Sequence, residues 1–84
     1  MLDTRTPLEE TLSPRELRVL ELTAQAMTNA RIAAQLDVTI HTVKFHLASI
    51  YRKLGVSNRT EAAATYLRSQ FEHQDERTDA GLVH

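Results

Sequence analysis

The sequence predicts an all-α fold, a bundle of four helices, and three observations predict it. Four segments place apolar residues at intervals of three and four, the period of a helix with one buried face. Each of these segments opens on Ser, Thr or Asn, side chains that accept from the free N–H groups at a helix start. Strand-type alternation is almost absent, and there are only two glycines and two prolines in 84 residues.

Residues 1–12 are polar, contain Pro7 and show no helical period, so they read as a flexible tail or linker remnant. The first helix begins at Ser13-Pro14-Arg15-Glu16. Ser13 is the cap, Pro14 takes the first helical position where a missing N–H costs nothing, and Glu16 closes a capping box. Leu12 and Leu17 stand at the positions of a hydrophobic staple. This helix runs to about Ala26, with Leu17, Leu20, Ala24 and Met27 on one face and Val19 and Leu22 widening it. A second, short helix opens at Thr28-Asn29 and buries Ile32, Ala33 and Leu36. Asp37-Val38-Thr39 then turns the chain. Asp37 stands where a left-handed backbone favours glycine, and aspartate tolerates that conformation.

The third helix, capped by Thr39 and stopped by Gly55, is the one the rest of the chain serves. Ile40, Val43, Leu47, Ile50 and Leu54 line its core face. His41, Lys44, Phe45, Ala48 and Arg52 line a second face that mixes cations, a titratable ring and an aromatic. A short helix, a three-residue turn and a helix twice as long make a helix-turn-helix, whose second helix reads as a recognition helix. An ordinary amphipathic helix with a solvated second face is the alternative at this point. Asn58 and Glu61 suggest another capping box, opening a fourth helix to about residue 71 with Ala62, Ala63, Tyr66 and Leu67 available for burial. Residues 72–84 are polar and acidic and read as a flexible tail.

Composition bounds the function. Absence of cysteine removes disulfides and thiolate metal ligands. No apolar run reaches the ~20 residues that span a bilayer, and the polar, acidic N-terminus is unlike a signal peptide. The expected compartment is the cytoplasm, with nucleoid association when bound to DNA. The net charge of −1 hides a gradient: residues 1–27 carry −2, residues 28–60 carry +4 and residues 61–84 carry −3. A positive middle between acidic ends suits a local phosphate-binding surface, because salt screens each patch beyond about 8–10 Å. His41 and His46 point about 140° apart on a helix, and no nucleophile–base pair, phosphate loop or carboxylate dyad is present. The chain therefore reads as a non-enzyme with no metal, no cofactor and no small-molecule ligand of its own.

Four blocks carry a resemblance: Ser13-Pro14-Arg15-Glu16-Leu17 with Val19-Leu20, Thr28-Asn29 with Ile32-Ala33 and Leu36, Thr42-Val43-Lys44 with His46, Ile50 and Lys53-Leu54, and Asn58-Arg59 with Glu61-Ala62. Together they resemble the LuxR/FixJ-type (GerE-like) helix-turn-helix domain, over about residues 12–68, within a domain bounded at 13–71. The resemblance implies a four-helix bundle that binds double-stranded DNA in transcription regulation, often as a response-regulator effector, with RNA polymerase as a further partner. Two departures stand out. Ala26-Met27 replaces the family's usual glycine after the first helix, and Arg31 replaces its usual glutamate before the Ile-Ala pair. The length leaves no room for a receiver or ligand-binding domain of about 100 residues, so the chain is expected to be a stand-alone regulator or the C-terminal part of a larger one.

Carried onto this chain, the resemblance gives Lys44, Phe45, Ala48 and His41 as base contacts. The major groove, about 12 Å wide, admits a helix; there a lysine donates to guanine, and Phe and Ala touch the thymine methyl. Thr28, Asn29, Thr39, Thr42, Arg52, Lys53 and Arg59 are the expected phosphate contacts, which position rather than specify. Arg59 is equally placed by the sequence to pair inside the fold with Glu16 or Glu21. His46, at the edge of the core stripe, reads as a packed histidine hydrogen-bonded to a neighbour. Single modules bury only about 600–1,000 Å² on DNA, so a homodimer on half-sites about 34 Å apart is expected, joined through Ala62, Thr65, Tyr66 and Ser69 of the fourth helix. The rival reading is a DNA-silent interaction module that engages another regulator through residues 58–71 or the acidic flanks.

Overall fold

A computed structural model describes residues 7–82, with side chains over residues 7–72. It contains five helices: α1 (Pro7–Thr11), α2 (Pro14–Ala24), α3 (Asn29–Leu36), α4 (Ile40–Leu54) and α5 (Arg59–Leu82). The all-α class holds, with α1 as an addition. Where the sequence suggests a tail, Pro7 starts a single helical turn whose Leu8 and Leu12 sit four apart and are both buried, 6 % and 4 % exposed. Glu9, Glu10 and Thr11 between them face water and mask the apolar pair. Residues 1–6 lie outside the described residues. At the other end the α5 backbone continues to Leu82, past the boundary expected at residue 71.

α2 is the hub, packed against α3, α4, α5 and α1, while α3 and α4 pack on each other. The core comprises Leu8, Leu12, Val19, Leu20, Leu22, Ile32, Ala33, Val43, Leu47, Ile50 and Ala62. Two expectations are corrected here. Ile40 is 44 % exposed, because it occupies the first turn of α4, beyond the edge of α3 and α2. Ala62 has no exposed surface at all, which takes it off the outer face of α5. On α2 the buried row centres on Val19, Leu20 and Leu22 rather than on Leu17 and Met27, which are half-buried. Thr23 joins that row because its hydroxyl donates to the Val19 carbonyl at 2.9 Å, leaving no unpaired polar atom.

The helix ends share one device. α2, α3 and α4 each stop on a left-handed residue: Ala26 (φ 67°), Asp37 (φ 60°) and Gly55 (φ 70°). In each case the next N–H reaches back five residues: Met27 to the Leu22 carbonyl, Val38 to Ala33 and Val56 to Tyr51. Met27, Val38 and Val56 then tuck their apolar side chains against the core. Only one of the three uses glycine. The Ala26 departure therefore keeps the glycine geometry, at a cost of about 1–2 kcal/mol for the Cβ.

Candidate nucleic-acid interface

The helix-turn-helix consists of α3, the turn at Asp37–Val38 and α4. Thr39 caps α4 by accepting from the Thr42 N–H at 3.0 Å, and its hydroxyl donates to Thr42 Oγ1 at 3.0 Å. Thr28 caps α3 by accepting from the Arg31 N–H at 3.1 Å. Three of the expected phosphate contacts are thus the residues that set the two helix starts, where N–H groups and the helix dipole favour an anion. Thr28 and Thr39 are exposed, and Thr42 is half-buried.

The reading stripe of α4 is open to solvent. His41, Lys44, Phe45, Ala48 and Arg52 are all exposed, and Phe45 is 69 % exposed. A large aromatic held this open on a rigid helix, between a lysine and an alanine, is an apolar contact surface with a donor beside it. His46 is half-buried, and its ring meets Phe45 edge-on, with centroids 6.1 Å apart at 64°. The hydrogen bond expected for His46 does not form among the described residues. Exposed Ile40 adds apolar surface at the start of the same helix, and exposed Arg31 adds a cation on α3.

Three other expected phosphate contacts are already engaged within the fold. Lys53 donates to Glu16 Oε1 at 2.9 Å, and Ser49 donates to Glu16 Oε2 at 2.7 Å. The Ser13 N–H also donates to Glu16 Oε1 at 2.9 Å, completing the capping box expected there. Burial raises the pKa of this carboxyl, but the hydrogen bonds from Lys53, Ser13 and Ser49 and the charge of Lys53 outweigh it, leaving it at about 2. Arg59 pairs with neither Glu16 nor Glu21. It donates through Nη1 to Asn29 Oδ1 at 2.7 Å and through Nη2 to the Met27 carbonyl. The role of Glu16 beyond its own helix start escapes the sequence, since its partner Lys53 lies 37 residues away.

On α5, Ala62 and Tyr66 face inward, and Thr65 and Ser69 are half-buried. The Tyr66 hydroxyl is held above its ordinary pKa by burial and by the charge of Glu21, against an opposing effect of Arg18, which places it beside α2. Leu67 and Phe71, four apart, are the exposed apolar pair at 54 % and 65 %. Among the described residues no group of acids and histidines is placed to hold a metal ion, and no helix is long and apolar enough to cross a membrane.

Residues 10–66 match the family model described as "Bacterial regulatory proteins, luxR family". The chain is 50 % identical over 54 residues to the transcriptional regulatory protein LiaR of Bacillus subtilis (strain 168), covering 64 % of this chain and 26 % of that protein. It is 45 % identical over 58 residues to the probable transcriptional regulatory protein SgaR of Hyphomicrobium methylovorum, covering 69 % and 28 %. The nitrate/nitrite response regulator protein NarL of Escherichia coli (strain K12) is 44 % identical over 52 residues, covering 62 % and 24 %. The chain spans about a quarter of the length of these relatives. With the matched residues covering α2, α3, α4 and the first part of α5, this chain belongs to the luxR family of bacterial regulatory proteins.

Proposed function

We propose that the domain binds double-stranded DNA in transcription regulation, with α4 in the major groove. The open stripe of His41, Lys44, Phe45, Ala48 and Arg52 is the observation that supports this reading. In it Lys44 donates to guanine O6 and N7, Phe45 and Ala48 meet thymine methyls, and His41 reaches the edge of the site. Thr28, Thr39, Thr42 and Arg52, with Arg31 added from α3, serve the phosphates. Lys53 keeps donors beyond its bond to Glu16 and contributes less. The relatives' names, transcriptional regulatory proteins and a response regulator, agree with this role.

Binding as a homodimer on two half-sites belongs to the same proposal. Its contact on α5 is best drawn through exposed Leu67 and Phe71, with Thr65 and Ser69 alongside, because Ala62 is enclosed and Tyr66 is turned toward α2. The test is a salt titration against a random duplex library, with the bound fraction sequenced. A steep loss of affinity with salt and an enriched inverted repeat support a dimeric reader. No binding at low salt overturns the proposal and leaves the protein-interaction reading through α5.

A further inference from the structure

The start of α3 is built on a strained turn and gripped from an unexpected side. Ala26 holds φ 67° two residues before the cap Thr28. The apolar side of α3, Ile32 and Ala33, packs toward α4 and α2. Its N-terminal end is instead held by Arg59, the first residue of α5, through Asn29 Oδ1 and the Met27 carbonyl. These two acceptors flank Thr28 on either side.

We infer that Arg59 is a positioning residue rather than a phosphate contact. Its guanidinium fixes the first turn of α3, and so the free N–H groups which that turn would offer to a DNA phosphate. The functional half of this inference rests on the duplex-DNA reading. Half-buried, Arg59 directs two donors inward onto neutral oxygens. A planar fork holds two acceptors in a fixed relation, which the single ammonium of lysine on its flexible stem does not. The bond also ties α3 to the helix that carries Leu67 and Phe71, so the orientation of α5 is set against the start of α3 at this point.

The test uses the whole chain with Arg59→Lys and Arg59→Ala, a duplex enriched by the wild type, and amide exchange followed residue by residue. Both variants are expected to bind about tenfold more weakly, with an unchanged slope of log affinity against log salt, because no phosphate contact is lost. Exchange of the Arg31 and Ile32 amides, which donate to the Thr28 hydroxyl and carbonyl, is expected to speed up while that of Leu47 and Ile50 does not. Restored affinity in Arg59→Lys, or a slope reduced by about one in Arg59→Ala, overturns the inference in favour of a phosphate contact. Exchange that is unchanged at α3, or accelerated equally everywhere, overturns it too. If the wild type binds no duplex, the DNA reading fails, while the exchange pattern still decides what Arg59 does.

Discussion

The ammonium of Lys53 sits 2.9 Å from Oε1 of Glu16, joining the last turn of α4 to the first turn of α2 across 37 residues. The carboxyl at the centre of this contact is 8 % exposed and has its pKa lowered from 4.5 to about 2.

A lowered acid pKa fixes the direction of the pH dependence. The unfolded chain binds this proton near pH 4.5 and the folded chain only near pH 2, so the stabilisation is complete above pH 4.5 and is lost as pH falls toward 2. After allowance for the 40 % exposed Lys53, the contribution is on the order of 2 kcal/mol. Urea unfolding between pH 2 and 6 is expected to show this loss, and Glu16→Gln to flatten it. An identical pH slope in the variant contradicts the arrangement.

Lys53 and Arg52 are adjacent cations with different duties. Lys53→Ala leaves Glu16 without its charged partner and is expected to lower stability by about 1–3 kcal/mol. Arg52→Ala is expected to leave stability within about 0.5 kcal/mol and to weaken DNA binding evenly across sequences, with the salt slope reduced by about one. Thermal melts and a salt titration of each variant separate the two; equal melting losses would count against the distinction.

Lys44→Ala is expected to cost about 1–3 kcal/mol in binding and to relax preference at one base position of the enriched site. Sequencing of the bound library reads this directly. Unaltered preference would move the reading face elsewhere on α4.

The left-handed residue at the end of α2 predicts a gain. Ala26→Gly removes the Cβ penalty at φ 67° but frees the unfolded chain, for a net stabilisation of about 0.5–1 kcal/mol. Gly55→Ala is expected to cost about 1 kcal/mol from backbone strain alone, since a Cβ there meets nothing within 4 Å. Calorimetry on both variants checks the pair, and destabilisation by Ala26→Gly would argue against the left-handed turn.

For α5, Leu67→Glu with Phe71→Glu is expected to abolish the dimer and leave helical content unchanged, as both side chains are already in water. Sedimentation of the two forms decides it. A dimer that survives has its contact elsewhere.

The α2–α4 framework was legible because its signals are local: caps at Ser13, Thr28 and Thr39, and helical spacing of Val43, Leu47 and Ile50. α1 was not, because two leucines among acids give one helical turn and no measurable period. The stop after α2 falls at Ala26, about where the sequence puts it, without the usual glycine, and apolar Met27 marks it as Val38 and Val56 mark the other two. The open stripe on α4 was readable from periodicity. The occupation of Lys53, Asn29 and Arg59 was not, since each partner lies 30 or more residues away.

One carboxylate closes the first turn of α2 and anchors the C-terminal part of α4 through Ser49 and Lys53. The two ends of the framework cannot drift independently under mutation. A substitution at position 16 is felt at once as a poorer helix start and as a loosened recognition helix. Changes at 49 or 53 reach α2 without touching it, so these three positions are expected to accept replacements as a set rather than singly.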